Sequence, residues 1–303
     1  MLLKFPAVSV LACALLTGWL VPVSAQTASA ASPVTSQPQS LPPAVEAALQ
    51  RAKVPREALS AMVVELDSPA KGTTKLAYRA DEPANPASVM KLVTTYAALD
   101  LLGPAFQWET PVYMDAQPQD GALRGNVYIQ GNGDPQLVLE RLWLTMRRLR
   151  AMGVTVNVGD IVLDRSAFDI ATRDAAKFDG EPWRPYNVAP DALLINFKAM
   201  NMRFVPDTAA GVARISYEPP MGSMQLPATV PLAPASTACG DWQGALKAEL
   251  GEPAKIGFAG NFPSSCGERE WAIAPADPDG YAARAIEGMW RELGGKVTGT
   301  VRD

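Results

Sequence analysis

The sequence reads as an α+β protein. Three observations say so: a β-rich run at Ala61 to Leu66 that returns at Thr74 to Tyr78, apolar stripes at helical spacing near both ends of the folded part, and short β-rich runs between them. Ser40 is the expected N-cap of a first short helix that enters through Pro42-Pro43 and carries Val45, Ala48, Leu49 and Ala52 on one face. The turn cluster Ser68-Pro69-Ala70-Lys71-Gly72 closes the hairpin. A second helix opens at Pro86-Ala87-Ser88, carries Met90, Val93, Ala97 and Leu101 at helical spacing, and stops at Gly103-Pro104. Thr110 to Met114 and Leu123 to Gln130 are expected strands. Asp134 and Pro135 then look like the N-cap and first residue of a helix reaching Met152, with Leu139, Leu142, Trp143, Met146 and Leu149 on one stripe. A strand at Val158 to Leu163 leads into an irregular stretch ending near Pro275. The last helix, Pro278 to Leu293, is bracketed by Asp277 and by Gly294-Gly295.

Composition removes several function classes. With 303 residues, 48% of them hydrophobic, the chain can build one large core or two ordinary ones. A net charge of −4, with no basic block standing apart from acids, argues against a nucleic-acid partner. The chain has no histidine, which rules out Ser-His-Asp and Cys-His nucleophile systems and any His-ligated metal centre. Any proton carrier must be Lys, Tyr, Asp or Glu.

Residues 1–25 form a leader with Lys4, an apolar run from Phe5 to Val23 and the small-residue end Val23-Ser24-Ala25. Export to the periplasm with cleavage is expected; the competing reading is an N-terminal membrane anchor, and the bulky Leu11 counts against lipidation at Cys13. No other stretch reaches membrane length, so membrane association is at most peripheral. Residues 26–43, rich in Ala, Ser, Thr, Gln and Pro, form a flexible linker. Once the leader is removed, Cys239 and Cys266 are the remaining thiols, an even pair in an oxidising compartment, so a disulfide between them is expected.

The sharpest chemical signal is Ser88-Val89-Met90-Lys91. Residues three apart on a helix share a face, so a neutral Lys91 amine, kept so by burial and neighbouring charge, can take the Ser88 hydroxyl proton while the helix N-terminus favours the developing negative charge. The spacing recurs at Ser68 and Lys71, where a proline turn gives the side chains no fixed relation. On local grounds alone, Ser88 as a plain helix cap with Lys91 in solvent stands level with the catalytic reading.

The surrounding residues add a resemblance. Pro86-Ala87-Ser88-Val89-Met90-Lys91, Gly131-Asn132-Gly133-Asp134-Pro135, Asp160 through Phe168, Trp183 with Tyr186-Asn187, and Pro190-Asp191-Ala192-Leu193 are together similar to D-alanyl-D-alanine carboxypeptidases of the penicillin-binding protein 4 type, peptidase family S13. The segments Cys239 to Trp242 and Ser265 to Glu268 resemble that family's inserted region. The resemblance implies a penicillin-binding, β-lactamase-like fold: residues 44–105 begin the catalytic domain, 106–270 are inserted and 271–303 return to it. It implies Ser88 as nucleophile, Lys91 as its base, the Ser88 N–H as one oxyanion donor, peptidoglycan stem peptides as substrate, β-lactams as covalent ligands, and no metal or organic cofactor.

The family's Ser-x-Asn and Lys-Thr-Gly motifs are not found; Lys296-Val297-Thr298-Gly299 has one residue too many. The expectation is therefore a fragment or an inactive truncated copy, with little activity and an apolar surface left uncovered. The runner-up is a non-catalytic envelope protein that binds peptidoglycan through the inserted region. A serine β-lactamase has no need of so large an insertion. A two-carboxylate glycosidase, drawing on Asp160, Asp164, Asp169 and Glu181, and a phosphate loop at residues 131–134 are the weakest readings.

Overall fold

A computed structural model describes residues 40–66, 73–171 and 173–303. The leader, the linker up to residue 39 and the Ser68/Lys71 copy lie outside the described residues. The chain divides into two compact units, residues 1–101 and 102–303.

In the first unit, helix α1 spans Pro43–Ala52 and strands β1 (Ala61–Glu65) and β2 (Thr73–Tyr78) pair antiparallel, with Ala61 opposite Tyr78. The cap of α1 is Pro42 and not Ser40: the fixed φ of Pro42 and Pro43 already sets the entry, and no side chain bonds the first amides. A 3-10 turn at Ala87–Val89 runs directly into α2, Met90–Leu102, which ends at Gly103 in the left-handed region. Helix α2 is apolar on every side, and none of its residues is buried.

The second unit opens with β3 (Val112–Met114), β4 (Ala122–Leu123), β5 (Val127–Gln130), α3 (Leu139–Ala151), β6 (Val156–Asn157) and β7 (Ile161–Asp164). After these come β8 (Met200–Asp207), β9 (Val212–Glu218), β10 (Thr229–Pro231), α4 (Trp242–Leu246), β11 (Ala248–Glu249), β12 (Gly257–Phe258) and β13 (Arg269–Ile273). The unit closes with α5 (Tyr281–Glu292), β14 (Lys296–Val297) and β15 (Val301–Arg302).

The strand read as continuous over Leu123 to Gln130 is split into β4 and β5. The one read at Val158 to Leu163 falls on β7, with β6 just before it, and the same step from one sheet to the other is made between β14 and β15. The parallel order β14-β6-β4 thus becomes β15-β7-β5, with β3 added antiparallel. Glycine sits at every step: at Gly125 a Cβ would run into the Asp115 side chain, and at the other two the backbones nearly touch. A Cβ on Gly159 would lie 2.4 Å from the Gly125 carbonyl oxygen, and one on Gly299 would lie 2.6 Å from that of Gly159.

Helices α3 and α5 cover these sheets. The i, i+4 stripe of α5 buries Ala282, Ile286, Met289 and Trp290 against Leu142, Met146 and Leu149 of α3 and against Ile129, Ile161 and Leu163. The Asp277 carboxylate accepts the Gly280 N–H at 2.9 Å, and the chain leaves α5 through Gly294 at φ +76, with the Gly295 N–H bonded to the Trp290 carbonyl. Residues 271–303, assigned from the sequence to the same domain as 44–105, supply α5, β14 and β15 to this unit; the reason is the apolar stripe of α5, which is completed by α3.

The stretch read as irregular contains a four-stranded antiparallel sheet. Strands β10-β9-β8-β13 form an antiparallel layer whose Met200, Met202 and Phe204 point inward at a period of two. Phe204 stacks on Phe262 at 5.6 Å, with Trp242 edge-on to both. Cys239 and Cys266 are disulfide-bonded beside this cluster. Trp290→Ala is expected to cost about 3–5 kcal/mol by leaving a cavity between α5 and the sheets, read as a lower midpoint in chemical denaturation of the second unit.

Candidate functional site

The first unit holds the serine and lysine picked out in the sequence. Asn85 Oδ1 accepts the Ala87 N–H at 3.0 Å, and Ala87 has φ +45, a left-handed value that is strained for a residue with a Cβ. This kink delivers Ser88 into the 3-10 turn, where the first N–H groups of a helix have no carbonyl behind them. One turn on, Lys91 Nζ lies 2.8 Å from Ser88 Oγ. Both side chains are exposed, where the sequence reading had the pair buried. Asn85 was not singled out from the sequence; its place immediately before Pro86 is the turn signal that marks it.

The second unit gathers most of the other family-like segments around one point. The Gly131 N–H bonds the Asp164 carbonyl at 2.9 Å and the Gly133 N–H bonds the Ala192 carbonyl at 2.7 Å, so the 131–135 turn rests on the 191–193 segment. Asp191 is buried and pairs with the buried Lys198 at 2.8 Å, which anchors the left-handed turn of Asn196, Phe197 and Lys198. Asp134 does not cap α3. Its Oδ1 accepts the Gln136 N–H two residues on, a local bond that competes with helix formation, and α3 starts only at Leu139 behind Val138.

Two of the four carboxylates weighed for glycoside chemistry are committed elsewhere. The Thr300 N–H at 2.9 Å and Arg302 Nε at 2.8 Å hold Asp160 below the usual carboxylate range. Ser166, followed by Gln130, does the same to Asp164. Neither is arranged as the proton-holding acid that glycoside cleavage needs. Among the described residues no group of three His, Cys, Asp or Glu is placed to hold a metal ion, and no helix is long and apolar enough to cross a membrane.

A serine opening a helix with an amine one turn along, in a mixed α/β chain without histidine, is the arrangement of the penicillin-recognising serine enzymes. The chain belongs to the D-Ala-D-Ala carboxypeptidase 3 (S13) family, whose sequence model matches residues 41–303. It is 37% identical over 82 residues to the D-alanyl-D-alanine carboxypeptidase DacB of Haemophilus influenzae, covering 27% of this chain and 17% of that protein. It is likewise 37% identical over 84 residues to a D-alanyl-D-alanine carboxypeptidase of an Actinomadura species, covering 28% and 16%. The crystal structure of penicillin binding protein 4 (dacB) from Haemophilus influenzae shares the fold, with a TM-score of 0.53 at 24% identity, over 75% of this chain and 50% of that one. The chain therefore spans about half the length of that solved relative.

The clasp at Asp160 gives a pH test. Its folded value is depressed, so its contribution is present above the unfolded carboxylate range, near 3.9, and is lost as pH falls through the lower folded value. Asp160→Asn is expected to lower the thermal midpoint at pH 6, and the gap from the parent is expected to close as pH drops below about 4.

Proposed function

We propose that this chain carries the nucleophile and base of a serine-type D-Ala-D-Ala carboxypeptidase/endopeptidase that is exported to the periplasm and acts on peptidoglycan stem peptides. The observation that carries the reading is the 2.8 Å approach of Lys91 Nζ to Ser88 Oγ, and membership of the family supports it. In the first step the Lys91 amine takes the hydroxyl proton as Ser88 Oγ attacks the carbonyl carbon of the penultimate D-alanine. The tetrahedral oxyanion forms beside the Ser88 N–H, a type of contact worth ~3 kcal/mol in the transition state when preorganised. Its collapse breaks the C–N bond, the departing D-alanine amine receives the proton from Lys91, and an ester remains on Ser88. Water then attacks the ester and returns the serine. With a β-lactam the same attack opens the ring, and the acyl group stays attached because its amine cannot diffuse away. The leader, at residues 1–25, supports a place in the envelope.

The exposed setting of the pair favours one competing reading, a non-catalytic envelope protein that holds peptidoglycan through residues 106–270. Labelling with fluorescent penicillin, on protein expressed from its whole reading frame, separates the two. The adduct is expected on the peptide containing Ser88, absent in Ser88→Ala and formed at least ~10²-fold more slowly in Lys91→Ala. An adduct on another residue, or equal labelling of Ser88→Ala, overturns the catalytic reading.

A further inference from the structure

Two adjoining cavities lie where the chain entering β3 passes the start of α3. The larger, of about 540 Å³, is lined by Trp108, Glu109, Asp134, Arg141, Thr145 and Arg148 together with apolar neighbours. The smaller, of about 370 Å³, shares Trp108, Asp134 and Arg141 with it and adds Phe106.

The lining has three properties. First, two large aromatic rings are left open in the concavity: Trp108 is 41% exposed and Phe106 is 44% exposed. They meet edge to face at 4.9 Å, which fixes the indole as a flat apolar platform. Second, the Asp134 side chain is 9% exposed, and one of its oxygens is used by the Gln136 N–H. The other has only Arg141 Nη1 at 3.7 Å, too long for a hydrogen bond, so it faces the cavity with acceptor capacity to spare. Third, neither Glu109 nor Arg148 has an ion-pair partner among the described residues.

Two carboxylates against two guanidiniums leave the lining without net charge, so it suits neither a polyanion nor a polycation. It offers acceptors and forked donors at fixed places around an aromatic plate. A ligand matching this has an apolar face and a rim of hydroxyl and amide groups that need both donors and acceptors. A pyranose ring has that form, with its axial C–H groups on one face. We propose that the Trp108 cavities bind two successive N-acetylated sugar rings of a glycan strand. The inference rests on the reading that the substrate is peptidoglycan, and adds a glycan-holding site on the second unit to the stem-peptide chemistry of Ser88.

The test is calorimetric titration of the protein with tetra-N-acetylchitotetraose, which does not depend on Ser88. Saturable binding on the order of 1 mM or tighter is expected. It should weaken about tenfold in Trp108→Ala and at least severalfold in Arg148→Gln, both surface changes outside the core. Trp143→Ala, on the neighbouring stretch of α3 outside the cavities, should leave it unchanged, and penicillin labelling should be the same in all three variants. No heat of binding to the parent, equal binding by Trp108→Ala, or displacement of the saccharide by a soluble stem pentapeptide overturns the site. Loss of penicillin labelling with saccharide binding intact would instead count against the catalytic reading alone.

Discussion

The proposed chemistry of this chain depends on one constraint: with no imidazole available, a hydroxyl has to be activated by an amine, a phenol or a carboxylate held within hydrogen-bond reach. The structure meets it through the backbone. Asn85 stabilises a left-handed Ala87, the kink starts the helix at Ser88, and the pitch of that helix then brings Lys91 to 2.8 Å. The order of causes matters, because the lysine finds the serine only if the turn before it has the right hand. Strain of this kind survives where neighbouring contacts over-determine it, and here it is borne by a single residue next to Ser88.

The second unit follows a different logic, close backbone approach. Three parallel strands step from one sheet to the next at the same level, and at two of the three steps the main chains themselves fill the space a side chain would need. This accounts for Lys296-Val297-Thr298-Gly299, whose likeness to a substrate-binding motif is superficial. Its lysine and valine form β14, the Thr298 hydroxyl bonds the Val158 carbonyl, and its glycine is the last of the three steps.

Much of this was legible in the sequence where one residue pattern answers to one physical cause. Helices α2 and α5 follow from their spacing and terminal glycines, β1 and β2 from a β-rich run that returns after a proline turn, and the Ser88/Lys91 contact from the rise of a helix. The disulfide follows from thiol arithmetic. Reading failed where two causes competed for the same residues. Asp134 before Pro135 has the form of a helix cap, yet a shorter local bond to Gln136 satisfies it first. Ser40 is similarly displaced by two prolines that need no cap. Strands β8, β9, β10 and β13 were hidden because β8 alternates through Met, Asn and Arg and contains Pro206, while β13, its partner on one side, lies far along the chain. The exposure of the Ser88/Lys91 pair is a property of packing, which local spacing does not encode.

The placing of β14 and β15 has a consequence for how the protein is made. Lys296 pairs with Val156 and Val301 with Ile161, contacts separated by some 140 positions along the chain. Until residues 296–302 leave the ribosome, β6 and β7 have an open edge and α3 lacks its companion helix, so the unit cannot complete its core before then. High contact order of this sort slows folding and lengthens the time during which an unpaired edge is available to other chains. A nascent protein built this way depends on whatever shields its half-finished sheets until the final strands arrive.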